Sequence, residues 1–283
     1  MSKAFTKKCT DWAADLAATG KSIIKLIALT HKAPRPARDG GDTLIVMGNG
    51  PSLAQTITEH PGALRRYPLL AVNFAALTPE FFTLRPRYYL MADPVFFAAE
   101  GNENLLKLRA NLDKVDWRMT LYIPFGAGCI PATDNLNVIV ERFNFVGIGG
   151  FRWFERMVYN SGRGIPRPRN VLIPAIMAGI REGYRNIYLT GADHSWTRTL
   201  AVGDDNTVLS VQPHFYEDNE AERQRVSQVY RNVRLHEVIH SFYVAFKSYF
   251  TLRRYADSIG VNIYNATPGS FIDAFERRPL PSE

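Results

Sequence analysis

The sequence predicts an α/β protein built on a doubly wound, mostly parallel sheet. Three observations carry that prediction. Short apolar runs of about five residues recur along the chain. Stretches with helical spacing separate several of them. The runs are nearly continuous in apolar residues, as strands covered on both faces must be. The 283 residues, 46% hydrophobic and 22% charged, suffice for one large domain or two small ones and exclude a disordered chain.

The first element is a basic arm. Of the net charge of +7, +6 falls in residues 1–38 and only +1 in the rest. Trp12, Leu16, Ile23, Ile24 and Ile27 recur at helical spacing, with Lys21, Ser22 and Lys25 opposite. Such a helix suits either an anionic membrane face or packing on the domain or a second subunit. Pro34, Pro36, Gly40 and Gly41 mark a linker, so the chain divides into an arm and linker, 1–41, and an α/β body, 42–283. A nearly neutral body speaks against nucleic-acid binding.

Seven strands are expected in the body: 43–47, 69–73, 88–92, 119–123, 137–140, 186–190 and 262–264. Helical patterns are clearest at 174–183 and 223–258. Residues 147–150 and 160–169 read as loops. The long polar stretch 197–222 has no periodicity and suits an active-site lid. No apolar run reaches the roughly 18 residues of a membrane span, and Asp11 and Asp15 interrupt any signal-like region. Cys9 and Cys129 are too few for a disulfide framework and fit a reducing, cytoplasmic setting.

The sharpest local signal is the run Leu44–Leu53, in which an apolar strand enters Gly48-Asn49-Gly50-Pro51-Ser52 and then a helix start. Gly48 and Gly50 permit close approach to the backbone, Pro51 suits a first helical turn, and Ser52 with free amides suits a phosphate. The run is neither a dinucleotide fingerprint, for which Leu53 would have to be glycine, nor a P-loop. Asn73 and Asp93 stand at the carboxyl ends of the second and third strands, and Asp193 after the sixth, where open α/β sheets bind ligands. An ordinary turn or helix cap is the competing reading for each.

These residues together resemble a known family. Gly48-Asn-Gly-Pro-Ser-Leu53, a strand ending in Asn73, a strand followed by Asp93-Pro94, and Gly183-Tyr-Arg-Asn-Ile-Tyr-Leu-Thr-Gly-Ala-Asp193 resemble the bacterial sialyltransferases of glycosyltransferase family 42. They also resemble the wider superfamily of 6-hydroxymethylpterin diphosphokinase-like domains and flagellin glycosyltransferases. The resemblance spans about 43–270 and matches weakly at 95–160. It implies a Rossmann-like, GT-A-type variant. Gly48, Asn49, Gly50 and Ser52 would meet donor phosphate and ribose. Asn73, Asp93 and Asp193 would lie near nucleotide or sugar. Two positions depart from the family: Asn170-Val171-Leu172 replaces its Thr-Ser-Gly, and Ser195 stands where a tyrosine is expected.

The resemblance implies a metal-independent, inverting transfer from a nucleotide-sugar donor, CMP-linked among the options, to a glycan or lipid-linked acceptor in surface polysaccharide assembly. No cofactor is then required. The alternative, an ATP-dependent diphosphokinase-like phosphotransferase, would need Mg²⁺ near Asp93 and Asp193. Inverting transfer needs a base near neutral pKa: His214, at the end of the lid stretch, is the first candidate and His240 the second, with His194, which follows a strand, as a further candidate for catalysis. Tyr216, His194 or a loop arginine such as Arg163 would assist the departing phosphate. His236-Glu237-Val238-Ile239-His240 also matches the short zinc-hydrolase pattern, although no third ligand is evident. The aromatic residues of 242–255 suit core or subunit contacts.

Overall fold

The computed structural model describes residues 3–33, 41–97, 103–128, 134–210 and 233–281. His214, Tyr216, Cys129 and most of the linker lie outside these residues, as do the later half of the expected lid and the start of the expected 223–258 helix. Among the described residues, helices α1 (Lys3–Leu29), α2 (Ser52–Glu59), α3 (Pro61–Arg66), α4 (Pro79–Leu84), α5 (Glu103–Asp113), α6 (Arg152–Ser161), α7 (Leu172–Arg181) and α8 (Leu235–Ser258) accompany ten strands.

The main sheet has eight strands in the order β10-β9-β6-β1-β2-β3-β4-β5, every neighbour parallel. They are β1 (Thr43–Met47), β2 (Leu69–Val72), β3 (Tyr88–Leu90), β4 (Met119–Pro124), β5 (Val138–Phe143), β6 (Asn186–Thr190), β9 (Asn262–Asn265) and β10 (Glu276–Arg277). All seven expected strands are present. β10 was not foreseen; it is two residues long and both are exposed, so it carries no apolar signal.

The two-residue period of a strand sorts the core into two layers. Leu44, Val46, Leu70, Val72 and Leu189 face α6, α7 and α8. Ile45, Met47, Leu69, Ala71 and Tyr188 face α2 to α5. Helix α7 lies across the sheet centre, and all of Leu172–Ile180 is buried, which is why this segment is apolar all round. The strands run outward from β1 to β5, and the chain then returns to lay β6 on the other side of β1. The winding reverses between β1 and β6, the switch point where a crevice opens at the carboxyl edge.

Within the expected lid, residues 200–202 (β7) and 208–210 (β8) form an antiparallel hairpin. Its turn uses Asn206 at φ +63°, and Asp205 accepts hydrogen bonds from the Thr207 amide and hydroxyl at 2.9 and 2.7 Å. Val208 packs with Val238 and Phe242 of α8, and Leu200 and Trp196 lie against them. Three-residue strands are too short to show periodicity, so the sequence reads as loop here.

The arm docks in an inverted sense. Thr19 and Ser22 face the body and are buried, while of the apolar stripe Trp12 reaches it, its ring 6.0 Å from that of Phe151. The Ser22 hydroxyl donates to the Gly149 carbonyl at 2.7 Å and accepts from the Gly149 amide at 3.1 Å. The Phe151 amide donates to Thr19 at 3.0 Å. A side chain at Gly150, whose φ is +139°, would overlap Thr19, so this approach requires glycine. Beyond the helix, buried Asn144 clamps the His31 backbone through both its amide nitrogen and oxygen. Trp12, Leu16, Ile23, Ile24 and Ile27 remain exposed, the last at 81%.

Candidate functional site

A cleft of about 430 Å³ opens at the carboxyl ends of β1, β2, β3 and β6. Gly48, Asn49, Gly50 and Pro51 line it, together with Asn73, Asp93, Asp193 and His194. Gly48 and His194, 146 positions apart in sequence, therefore share one cavity. Ser52 stands at its edge, bonded to Asp193.

The glycine turn is built for contact within the protein. The Gly48 amide donates to the Thr190 carbonyl and the Gly50 amide to the Gly191 carbonyl, each at 2.8 Å. A methyl group at Gly48 would overlap the Gly191 carbonyl, and one at Gly50 the Asp193 carboxylate. The Ser52 hydroxyl donates to Asp193 at 2.7 Å, and the Ser52 amide approaches the same carboxylate at 3.4 Å. The anion at the start of α2 is thus the protein's own carboxylate. The expectation of free amides and a free serine for phosphate is corrected on this point. The glycines let the β1 and β6 turns meet, and that pairing forms one wall of the cleft.

Asn49 and Asn73 each keep a side-chain oxygen without a partner. The Asn49 amide nitrogen donates to the Val72 carbonyl at 3.1 Å, which leaves its Oδ1 buried and unpartnered. Asn73 follows the end of β2 and starts a 3-10 turn at φ +49°, held by a hydrogen bond from Tyr89 to its carbonyl. Its Oδ1 is also buried and unpartnered. Buried unpartnered polar atoms are costly, and a conformation outside the usual backbone region adds to that cost. Both atoms belong to residues that line the same cleft. Asp93 lies three residues past β3, and one of its oxygens accepts from the Val95 amide at 3.1 Å.

Sequence reasoning missed Arg169 and Asn170. Arg169 is the one cation among the described residues lining the cleft, whereas exposed Arg163 does not line it. Asn170 caps α7: its Oδ1 accepts from the Leu172 and Ile173 amides at 2.9 and 3.3 Å. Its Nδ2 is buried and unpartnered. The signal was present as Asn two residues before an apolar helical run.

His194 sits at φ +51° with its ring 4.1 Å from that of Trp196 and its Nε2 2.7 Å from the Tyr249 hydroxyl. Burial pushes its pKa down to about 3, so the ring is neutral near pH 7. His240 and His236 are both exposed on α8 and do not line the cleft; Ser241 and Phe242 do. The expected role of His240 as base therefore lacks the required proximity. Glu237 of the zinc-like pattern accepts the Arg234 amide at 2.8 Å in a capping box, a structural use of that residue. Among the described residues, no group of three or more His, Cys, Asp or Glu is placed to hold a metal ion. Of the late aromatics, Phe242, Tyr249 and Tyr255 are core, while Tyr243 and Phe250 are exposed.

A second cavity of about 410 Å³ adjoins the first, sharing Ala92, Pro94 and Phe145. Leu29, Phe97, Phe125 and Val146 are among its other walls, and no charged side chain is among the described residues lining it. Its one amide side chain, Asn144, is occupied by His31 and Gly162.

Fold and site together define a parallel α/β protein with a polar cleft at its topological switch point. A solved structure described as the MAf glycosyltransferase from Magnetospirillum magneticum AMB-1 shares this fold, with a TM-score of 0.51 at 12% identity. The likeness covers 93% of this chain and 38% of that one. No protein-family profile and no curated protein sequence matches the chain.

Proposed function

We propose that this protein transfers a sugar from a nucleotide-sugar donor to a glycan or lipid-linked acceptor. The observation that carries the reading is the polar cleft at the β1/β6 switch point, with unpartnered amide groups of Asn49, Asn73 and Asn170 and the guanidinium of Arg169. A ribose or sugar offers the hydroxyls those amides lack, and Arg169 suits a diphosphate. The likeness in fold to a glycosyltransferase points the same way.

In the proposed inverting reaction a base takes the proton of the acceptor hydroxyl. That oxygen bonds to the anomeric carbon, and the bond from carbon to phosphate oxygen breaks with its electrons remaining on the nucleotide. His214 is the proposed base and Tyr216 the proposed donor to the departing phosphate. Neutral His194, with its depressed pKa, suits holding a ligand better than taking a proton. Sialic acid or a related sugar as donor group, and a role in surface polysaccharide synthesis, belong to the same proposal.

The acceptor side rests on the apolar second cavity and on α1. That helix presents exposed Trp12, Leu16 and Ile27 beside Lys21 and Lys25. Such a face suits peripheral contact with an anionic bilayer on the cytoplasmic side. Among the described residues no helix is long and apolar enough to cross a membrane.

Thermal unfolding of the full chain with CMP, UDP, GDP or ATP, with and without Mg²⁺, tests the proposal. Stabilisation by CMP, UDP or GDP that survives EDTA is expected. Stabilisation only by ATP with Mg²⁺ would replace this reading with the phosphotransferase. Stabilisation by none would remove it.

A further inference from the structure

The Tyr249 hydroxyl has one proton and two close neighbours: Asn170 Oδ1 at 2.9 Å and His194 Nε2 at 2.7 Å. Which neighbour receives the proton follows from the surroundings. Asn170 cannot turn its amide over, because the Leu172 and Ile173 amides both donate to the oxygen, and a flipped Nδ2 would face two N–H groups. The oxygen therefore faces Tyr249, and Tyr249 must donate to it. The hydroxyl has then no proton left for the ring, so His194 Nε2 must carry its own hydrogen and donate to the Tyr249 oxygen.

The consequence lies on the other side of the ring. Neutral imidazole with a protonated Nε2 has a lone pair at Nδ1, and among the described residues no hydrogen bond reaches that atom, the one bond of the ring being that of Nε2. His194 lines the cleft, as does Asn170, whose remaining Nδ2 is buried and unpartnered. The ring is flanked by uncharged neighbours, Trp196 tilted against it at 4.1 Å and Phe246 edge-on at 6.3 Å between ring centroids, and Tyr249 itself is fully buried. Tyr249 projects from α8 and Asn170 caps α7, so two helices and the β6 turn cooperate in one chain of hydrogen bonds.

We infer that Asn170, Tyr249 and His194 form a proton-ordered relay that fixes His194 as the Nε2–H tautomer and makes its Nδ1 an acceptor for a hydroxyl or amine hydrogen of the bound ligand. Tyr249 acts as a positioning residue. The ligand half of this inference rests on the nucleotide-sugar reading; the relay does not.

Long-range ¹⁵N–¹H correlation spectra of the full chain with labelled histidine test the relay at neutral pH. The His194 signals are identified by their loss in His194→Gln. The expected pattern is a protonated-type Nε2 and an unprotonated-type Nδ1. An Nδ1–H tautomer or an imidazolium overturns the inference. Tyr249→Phe removes only the hydroxyl, and a mixed tautomer is expected there; an unchanged single tautomer also overturns it. If that variant fails to fold, the wild-type spectrum decides alone. For the ligand half, affinity for whichever of CMP, UDP and GDP stabilises the wild type should fall about tenfold in His194→Phe, the worth of roughly one hydrogen bond. Equal affinity removes the ligand contact and leaves the tautomer standing. Failure of all three nucleotides to bind removes the nucleotide reading, while the spectrum still decides the relay.

Discussion

The contact between Ser52 and Asp193 lends itself to a double-mutant cycle. Asp193 accepts the Ser52 hydroxyl at 2.7 Å and the Ser52 amide at 3.4 Å, across 141 residues of sequence. A hydrogen bond to an ionised group contributes about 1.5–3 kcal/mol, and the lower end applies here because both side chains are only half-buried. Ser52→Ala should thus cost about 1.5–2 kcal/mol. Asp193→Ala removes the same bond and also the carboxylate that caps the first turn of α2, worth about 1 kcal/mol more, for a total near 3 kcal/mol. The double variant should cost no more than Asp193→Ala alone, so a coupling energy of about 1.5–2 kcal/mol is expected. Urea unfolding of the full chain measures all four proteins. In heat, Asp193→Ala should melt about 6–12 °C lower. Costs that add to within about 0.5 kcal/mol would mean the two side chains do not meet. The pairing of the β1 and β6 turns, as reasoned from their glycines, would then be wrong.

Other outcomes follow from the same site. Asn73→Gly should stabilise the fold by about 1 kcal/mol, since glycine accepts φ +49° freely and the buried unpartnered oxygen disappears, while nucleotide stabilisation should weaken; calorimetry with and without nucleotide reads both. His194 has a folded pKa near 3, below the ordinary 6.5, so the unfolded chain binds the extra proton between those values. Its contribution is complete above pH 6.5 and is lost as pH falls toward 3, at up to about 1.4 kcal/mol per pH unit. Denaturant titrations from pH 7 to 5 should therefore show a shallower decline in His194→Gln than in wild type. Thr19→Val leaves the Phe151 amide without its partner and should cost about 1–3 kcal/mol, seen as faster amide exchange in α1. Removing residues 1–38 should abolish binding to anionic vesicles and leave nucleotide binding in place, and persistent vesicle binding would refute the membrane role of the arm.

Much of the fold is legible in sequence because the central strands are buried on both faces. Leu44–Met47 and Ile187–Leu189 carry that condition as unbroken apolar runs, and α7 carries it as a helix apolar on every side. The hairpin at 200–210 is not legible, because its two strands are three residues each and owe their place to α8. The arm shows a different limit. Periodicity marks Trp12, Leu16, Ile23 and Ile27 as one stripe, yet the body is gripped by Thr19 and Ser22 beside it. Hydrogen bonds to a particular glycine loop leave no periodic trace.

The candidate site divides in the same way. Position relative to strand ends is readable, so Asn49, Asn73, Asp93, Asp193 and His194 were all placed in the cleft they line. Partnership is not readable. Gly48, Gly50 and Ser52 look like a phosphate cradle in sequence because a cradle and a tight loop-to-loop contact demand the same thing: no side chain where another group comes close. What separates them is the identity of that group, and here it is Gly191 and Asp193. In the proposed reading, the phosphate of a bound nucleotide is met elsewhere in the cleft. Among its described lining only Arg169 supplies a positive charge for it, so Arg169→Gln should weaken nucleotide binding more than Gly48 or Ser52 variants that still fold.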